Sequence, residues 1–484
     1  MENEMSPNAK RLLTAGFMAI LAAGVGFSIR AGILADWGSQ FGFTQTDLGN
    51  ITGGGLTGFG IIILLGALIA DKIGYGRLMI FAFLMHLLSA LLTLAATPIF
   101  KASGKDAAYQ CLYWGMFLFA VGNGTAEAAV NPIVATLFPK NRTHYLNILH
   151  AGWPGGLVLG GLTSYFMVGK VRWEIQMSLF MVPVVFYGLL CLGQRFPKSE
   201  ASSHGVTFGQ MLAEFAAPVL LLLLFVHALL GYVELGTDSW IGNITGNILA
   251  SREQGLLLFV YTSMLMFALR FFAGPIVEKI SPLGLLFTGA ACGAIGLTLL
   301  SSAQIGLMVV VAATIYGIGK TFLWPTMLAV VSDRFPRGGA ITIGAMGGIG
   351  MLSAGLLGGP GIGYNQDYYA SKDLKETAPA VYDQYKSETK NRFLLFPVIQ
   401  GLDGTKVGAV RAKPADARTP EETLVHHADL HGGRMALKIT AAIPATMAVL
   451  YLLLILYFKA KGGYKQVHLE GEKMTGGVEG SVEA

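Results

Sequence analysis

Two segments far apart in this chain share one pattern, and each follows an apolar stretch. The first runs from Gly66 to Arg77 and reads GALIADKIGYGR. The second runs from Gly274 to Gly284 and reads GPIVEKISPLG. Each places an acid and then a base at a turn between two hydrophobic segments. An internal repeat of this kind is typical of a membrane protein built from two related halves.

The composition agrees with a chain that crosses a membrane repeatedly. Hydrophobic residues make up 53% of the 484 residues, and charged residues only 13%. The 64 glycines suit helices that pack closely in lipid, where small residues let two backbones approach each other. The formal net charge of +5 is small and spread over the loops, which argues against a nucleic acid as partner.

Twelve segments are long and apolar enough to span a bilayer, which takes about 20 residues in a helix. We number these predicted spans 1 to 12: 12–35, 48–70, 77–97, 109–138, 145–168, 174–194, 216–245, 254–277, 283–303, 305–332, 339–363 and 434–458. The sequence therefore predicts an all-α membrane protein with two pseudo-symmetric six-helix bundles. The expected boundaries are residues 1–196 for the first bundle, 197–212 for a cytoplasmic linker, and 213–484 for the second bundle with an extracytoplasmic loop at 364–433.

Lysine and arginine residues in short loops predict the orientation, because they concentrate on the cytoplasmic side. One side of the predicted spans has five: Lys101, Lys105, Lys170, Arg172 and Arg252. The other side has fourteen: Lys10, Arg11, Lys72, Arg77, Lys140, Arg142, Arg195, Lys198, Lys279, Arg334, Arg337, Lys459, Lys461 and Lys465. We therefore expect an integral protein of the cytoplasmic membrane with both termini in the cytoplasm.

The two repeated turns resemble a signature of the major facilitator superfamily. The residues that carry it are Asp71, Lys72, Gly74 and Arg77 after span 2, and Gly274, Glu278 and Lys279 after span 8. One departure is Ala67, which takes the place of the usual glycine, with Gly66 one residue earlier. The resemblance implies two bundles that rock about a central cavity, with these seven residues gating the cytoplasmic side.

Six ionisable residues lie inside the predicted spans, where an unpaired charge is costly. They are Arg30, Glu127, Glu234, Asp238, Arg270 and Lys320. All but Arg270 lie on spans 1, 4, 7 and 10, which line the cavity in the superfamily. We expect Arg30 to hold Glu127, Lys320 to hold Glu234 and Asp238, and Arg270 to pair structurally outside this set. The opposite signs predict ion pairs that open as a proton or substrate arrives, and permanent structural bridges are the alternative.

A narrower resemblance points to the fucose:proton symporter family. Span 4 reads GNGTAEAAVNP from Gly122 to Pro132, and span 5 then carries Asn147. The segments around Glu234 and Trp324 are similar to spans 7 and 10 of that family. The resemblance implies that Glu127 binds sugar and responds to protonation, and that Asn147 binds a hydroxyl group. Span 1 departs from the family, which has an acid where this chain has an arginine.

Sugar binding requires hydrogen-bonding groups and an aromatic face, and the spans offer both. The predicted substrate-binding residues are Arg30, Glu127, Asn131, Asn147, His150, Trp153, Tyr232, Glu234, Asp238, Trp240, Lys320 and Trp324. Among them, Glu127 and Glu234 are the predicted proton-coupling acids. We predict a monomeric secondary active transporter whose partners are a small polar solute such as a sugar, a proton and membrane lipid. No cofactor and no metal are expected.

Other function classes fit the sequence less well. An ATP-driven pump needs a phosphate-binding loop of the form Gly-x4-Gly-Lys-Ser/Thr, which the sequence lacks. A membrane enzyme needs a nucleophile with its base or a metal site, and only Glu127 with His150 offers anything of that kind. An organic-anion carrier stays open, because Arg30 and Lys320 would suit a carboxylate. A sensor on the same scaffold that transports nothing also stays open.

Overall fold

The computed structural model describes residues 7–41, 45–167, 170–304, 306–388 and 390–469. Within these ranges the chain folds into helices, and its only β-type pairings are two isolated bridges, Lys386 with Leu402 and Asn391 with Ile399. The predicted all-α class is therefore confirmed.

The first six spans form helices in chain order, and spans 1, 3 and 6 are each divided into two helices. Span 1 is Pro7–Gly32 followed by Leu34–Phe41, and span 6 is Trp173–Ser178 followed by Met181–Cys191. The others are Gln45–Ile73, Tyr75–Leu94 with Ala96–Ser103, Lys105–Leu137 and Arg142–Met167. The predicted linker holds the short helices Glu200–Ser203 and Phe208–Ala213, and the 3-10 turn Glu214–Ala216 leads into span 7.

The second six spans follow the same plan with more interruptions. Span 7 is Pro218–Gly231, a π-helical turn Tyr232–Gly236 and Thr237–Ile248. Span 8 is Arg252–Arg270 together with the first part of the helix Ala273–Ser302, which is kinked at Ser281 (φ 65°), and span 9 is the part of that helix after the kink. Span 10 is Gly306–Thr321 with Leu323–Arg334, and the 3-10 turn Pro336–Gly338 follows. Span 11 is Gly339–Ser353, a π-helical turn Ala354–Gly358 and Gly359–Thr377, and span 12 is Pro420–Thr440 with Ala442–Ala460.

Nine helical segments among the described residues are long and apolar enough to cross a membrane. Spans 4, 5 and 8 do not reach that hydropathy, although their helices have 33, 26 and 19 residues. They are the helices that carry Glu127, His150 and Arg270. Their lower hydropathy therefore reflects polar side chains placed inside the protein, as expected for spans that line a hydrophilic site.

Both ends of the described chain lie on one side of the helices, which we call the termini side. The side chain of Asn8 donates to the carbonyl of Arg195 at 3.1 Å. The backbone N–H of Val467 donates to the carbonyl of Asp333 at 2.8 Å. These contacts fix the start of span 1 beside the end of span 6, and the chain after span 12 beside the end of span 10.

The predicted loop 364–433 lies on the opposite side, which we call the far side, and it is folded. Span 11 continues into it as a helix to Thr377, and span 12 already begins at Pro420. Between them lie the helices Pro379–Tyr385 and Gly404–Ala412 and the 3-10 turn Ala415–Ala417. The segment has its own buried cluster: Leu374, Val381, Tyr382, Val407, Val410, Val425 and Ala428.

The two bundles meet on the termini side and in the middle of the helices. Arg142, which begins span 5, pairs with Asp333 near the end of span 10 at 3.5 Å. Nearer the middle, a Cβ on Gly60 of span 2 would lie 3.0 Å from the carbonyl oxygen of Gly348 in span 11. Only glycine allows this approach of two backbones. The structure is therefore closed on the termini side.

Candidate functional site: a buried charge cluster between the bundles

The predicted gating turn after span 2 reaches the other bundle through its acid. Asp71 Oδ1 accepts a hydrogen bond from the hydroxyl of Tyr75 at 3.1 Å. Its other oxygen, Oδ2, lies 3.3 Å from the position that a Cβ on Gly339 would take. Gly339 begins the first helix of span 11, and the N-terminus of a helix carries partial positive charge. Asp71 is thus placed to stabilise closure electrostatically.

The other residues of this turn shape it rather than bridge the bundles. Gly74 has a φ of 94°, a conformation that glycine adopts without strain, and it separates span 2 from span 3. Arg77 donates to the carbonyl of Ile73 at 3.2 Å within the same turn. Lys72 is exposed.

The second acid–base turn makes the corresponding contact at span 5. The backbone N–H of Gly274 donates to Nδ1 of His144, in the first turn of span 5, at 3.2 Å. The charge of Glu278 also interacts with His144, and Lys279 is exposed. One turn therefore lies at the start of span 11 and its copy at the start of span 5, as the internal repeat predicts.

Ala67, the departure from the superfamily pattern, is accommodated by the opposite helix. A Cβ on Gly344 of span 11 would lie 2.1 Å from the Cβ of Ala67, a distance that no real pair of atoms can have. Span 11 therefore supplies the glycine at this crossing, and the close packing of the two helices is kept.

A hydrogen-bonded chain of three predicted site residues lies inside the first bundle. Asn131 Nδ2 donates to Glu127 Oε2 at 2.8 Å, and His150 Nε2 donates to Asn131 Oδ1 at 2.8 Å. All three side chains are at most 4% exposed. Trp153, one turn further along span 5, packs against Phe27 of span 1 with ring centroids 5.7 Å apart.

Arg270 joins these three hydrogen-bonded residues to the second bundle. Its guanidinium donates to Glu234 Oε1 at 3.2 Å, to the carbonyl of Thr321 at 2.8 Å and to the carbonyl of His150 at 2.5 Å. Its charge also interacts with that of Glu127. Sequence analysis set Arg270 apart from the other charged residues of the spans, whereas the structure places it among Glu127, Glu234 and Asp238. We call Glu127, Asn131, His150, Glu234 and Arg270 the central cluster.

The predicted pair of Lys320 with Asp238 is formed next to the central cluster. The two side chains are in contact, and Lys320 also lies 5.3 Å from the ring centroid of Tyr316. Tyr316 in turn donates to the carbonyl of Val233 at 2.8 Å. Glu234 interacts with the charge of Lys320 but makes its hydrogen bond with Arg270 instead.

Arg30 does not form the expected pair with Glu127. Its guanidinium lies 3.8 Å from the ring centroid of Phe119 and donates to the Ser89 hydroxyl at 3.0 Å and the Gly26 carbonyl at 3.1 Å. A cation over an aromatic face is stabilised without a carboxylate. This predicted substrate-binding residue is therefore packed within the first bundle, away from the central cluster.

Two of the predicted aromatic ligands serve helix packing. Trp240 donates its indole N–H to the carbonyl of Gly359 in span 11 at 2.9 Å. The hydroxyl of Tyr232 lies 2.8 Å from the position that a Cβ on Gly361 would take. Both side chains thus hold the far-side half of span 7 against span 11, and the central cluster does not include them.

Four buried side chains near the cluster have polar atoms without a hydrogen-bond partner among the described residues. The atoms are Asn147 Oδ1, Glu234 Oε2, Trp324 Nε1 and both ring nitrogens of His227. The rings of His227 and Trp324 lie 4.6 Å apart, and Asn147 donates to the Thr326 hydroxyl across the bundles at 3.3 Å. These atoms could bind a polar solute. His227 is not among the predicted site residues, since nothing in its spacing sets it apart.

A cleft of about 810 Å³ lies beside the Asp71 turn, well away from the central cluster. Its walls include Ile80, Leu84 and Leu189, exposed apolar side chains of spans 3 and 6. Apolar side chains exposed on a membrane-spanning helix face lipid. The cleft therefore belongs to the lipid-facing surface.

Comparisons with known proteins agree with this architecture. A family profile described as Major Facilitator Superfamily matches residues 16–359. The search of curated proteins gave no match. Among solved structures, the chain is similar to the fucose:proton symporter FucP of E. coli, with a TM-score of 0.62 and 15% identity over 91% of this chain and 97% of that one.

Two further solved structures show the same fold. The proton:xylose symporter XylE aligns with a TM-score of 0.65 and 14% identity, covering 94% of this chain and 96% of its own. The human organic anion transporter MFSD10 aligns with a TM-score of 0.60 and 12% identity, covering 92% and 100%. The expected twelve-helix fold of two bundles is confirmed by these alignments. With the family profile matching most of its length, the chain belongs to the Major Facilitator Superfamily of membrane transporters.

Proposed function

We propose that this chain is a proton-coupled secondary active transporter that moves a small polar solute, a sugar, by alternating access. The observation that carries the proposal is the charge balance of the buried site. Three carboxylates, Glu127, Glu234 and Asp238, lie there with two cations, Arg270 and Lys320. One carboxylate is in excess, and a buried charge without a partner is costly. A proton neutralises that excess.

Glu127 is the carboxylate that takes the proton in this proposal. Asp238 contacts Lys320 and Glu234 contacts Arg270, whereas the hydrogen bond of Glu127 comes from the neutral amide of Asn131. Glu234 is the second candidate, because its Oε2 has no partner among the described residues. The solute would bind to the unpartnered polar atoms of Asn147, His227 and Trp324, with the indole of Trp324 as the aromatic face.

The proposed transport cycle uses the two bundles, residues 1–196 and 213–484, as bodies that rock about the 197–212 linker. With the proposed cytoplasmic termini, closure on the termini side shuts the path to the cytoplasm. A solute and a proton would enter from the far side. Contacts such as that of Asp71 with the start of span 11 would then break, so that the cytoplasmic side opens. Transport by a monomer is sufficient for this cycle.

The test is Glu127→Gln in proteoliposomes, because glutamine mimics a permanently protonated acid. We expect proton-driven sugar accumulation to be lost while counterflow exchange, which needs no net proton movement, stays measurable. Asp106→Asn is the matched control, since Asp106 lies exposed at the start of the same helix. Accumulation at the wild-type level in Glu127→Gln would show that Glu127 is not the coupling acid.

The same assay separates the alternatives. An organic-anion carrier would accumulate a carboxylate in place of a sugar, and the buried cation Arg270 is the feature that would favour it. The excess negative charge of the site speaks against an anion as solute. A sensor would show ligand-induced thermal stabilisation without uptake of any labelled solute.

A further inference from the structure

Two backbone carbonyls next to Arg270 have lost their helical partners. In an α-helix the carbonyl of one residue accepts from the N–H four residues later, and proline has no N–H. Pro154 follows His150 by four residues in span 5, and Pro325 follows Thr321 by four in span 10. Each proline therefore leaves one buried carbonyl that needs another donor.

Arg270 supplies both missing donors from one side chain. Its guanidinium donates to the carbonyl of His150 at 2.5 Å and to that of Thr321 at 2.8 Å, and its third hydrogen bond goes to Glu234 Oε1 at 3.2 Å. Arginine suits this role because its donors form a rigid planar fork, and Arg270 is only 1% exposed. A shorter or more flexible cation could not reach all three acceptors at once.

Only one of the three acceptors belongs to the first bundle. Thr321 and Glu234 lie on spans 10 and 7, in the same bundle as Arg270, whereas His150 lies on span 5. The bond from Arg270 to His150 therefore links the two bundles in the middle of the helices. Glu234 and Thr321 hold the guanidinium in the orientation that this link requires.

We propose that Arg270 is a positioning residue through which the protonation of Glu234 controls closure of the two bundles. The inference rests on the proposed alternating-access function and adds the element that connects it to the proton. Ionised Glu234 holds the guanidinium against the His150 carbonyl. When the proton first taken up by Glu127 passes to Oε2 of Glu234, the hold on the guanidinium weakens and Arg270 turns toward Glu127, which is then ionised. The link to His150 is then released, and the termini side opens.

The charged and titratable groups around this pair are few. Glu234 interacts with Arg270 of span 8, with Lys320 and Tyr316 of span 10, and with Asp238 on its own helix. Arg270 interacts in addition with Glu127 of span 4 and His150 of span 5. Lys320 is already in contact with Asp238, so the proton on Glu234 acts mainly on Arg270.

Distances between two spin labels on the termini side measure closure directly. Lys140 and Arg337 are exposed there, one on each bundle, and can be replaced by cysteine after Cys111, Cys191 and Cys292 are changed to serine. In the otherwise wild-type protein we expect the open population to increase as the pH is lowered. In Arg270→Gln we expect it to be large at every pH, and Arg270→Lys should restore closure only in part.

Two proline substitutions show whether closure depends on the bond between Arg270 and His150 or on helix packing in general. Pro154→Ala gives the His150 carbonyl its own helical N–H, so Arg270 is no longer needed there. The ratio of open to closed protein should rise about tenfold, since the loss of one hydrogen bond to a charged group changes an equilibrium constant by about that factor. Pro325→Ala is the matched control, because it repairs the Thr321 carbonyl within the bundle of Arg270. It should change the open-to-closed ratio less than Pro154→Ala does, because Glu234 still orients the guanidinium, and it should keep the wild-type pH response.

The outcomes distinguish this inference from the proposed function. Equal shifts in Pro154→Ala and Pro325→Ala, or a wild-type pH response in folded Arg270→Gln, would overturn the role of Arg270 while sugar transport still stood. The label distances need no substrate, so absence of proton-driven uptake in the wild type would overturn the proposed function separately. If Arg270→Gln does not fold, the two proline variants, which keep the arginine, still decide the matter.

Discussion

Neutralising Asp71 should open the termini side without changing the central cluster. Asp71 lies at the start of span 11, with its Oδ2 3.3 Å from the position of a Cβ on Gly339. Asp71→Asn keeps the size of the side chain and can keep the bond from Tyr75, so it removes mainly the charge. A carboxylate at a helix N-terminus stabilises by about 0.3–1 kcal/mol when exposed, and by up to about 2 kcal/mol when partly buried.

The exposure of Asp71 is intermediate, so we take about 1 kcal/mol for its effect on closure. This energy corresponds to a change of about fivefold in the ratio of open to closed protein. The contact joins the two bundles, so we expect it to break when they separate on the termini side, and the whole effect should then fall on the conformational equilibrium. Affinity for solute within one conformation should stay unchanged.

The label pair at Lys140 and Arg337 reports this ratio, and Lys72→Gln is the control. Lys72 is the exposed neighbour of Asp71, so the substitution Lys72→Gln also removes one charge from the same turn. We expect the wild-type distance distribution in the control and a larger open population in Asp71→Asn. An unchanged distribution in Asp71→Asn would refute the assignment of this turn as a latch. Equal shifts in both variants would mean that the general charge of the surface matters, and not the position at span 11.

Two further variants test packing at specific contacts. Gly344→Ala should destabilise closure because its Cβ would overlap that of Ala67, and the double variant with Ala67→Gly should restore the wild-type label distances. Arg411→Ala should loosen the far-side loop, because Arg411 makes two hydrogen bonds of 2.6 Å to Asp429 of span 12. Faster proteolytic cleavage of the loop, with unchanged resistance of the spans, is the expected result.

The sequence predicts the helices and the ends at which the bundles touch, because these depend on local properties. A run of apolar residues of sufficient length predicts a span whatever surrounds it. The acid–base turns are recognisable because the repeat places Asp71 and Glu278 at corresponding positions. Glu127 and Asn131 are also predictable partners, since residues four apart lie on the same face of a helix.

The identity of the central cation could not be predicted, since it depends on how each helix is rotated about its axis. Arg30 lies on a span that lines the cavity in the superfamily, but it points at Phe119 and Ser89 inside its own bundle. Arg270 ends the first helix of span 8, inside the span, and interacts with Glu127 of the other bundle. One signal was available in the sequence. Pro154 and Pro325 each follow a tryptophan within a span and free a carbonyl that requires a donor.

Three polar contacts between the bundles lie on one stretch of span 5. Arg142 contacts Asp333, Asn147 contacts Thr326, and the carbonyl of His150 contacts Arg270. These three residues extend over about 12 Å of helix, at about 1.5 Å per residue. Opening therefore has to break contacts along the whole stretch, and the deepest of them is the one made by Arg270. That contact is the only one of the three whose donor also binds a predicted coupling acid, so a proton bound in the middle of the membrane can affect the termini side through span 5.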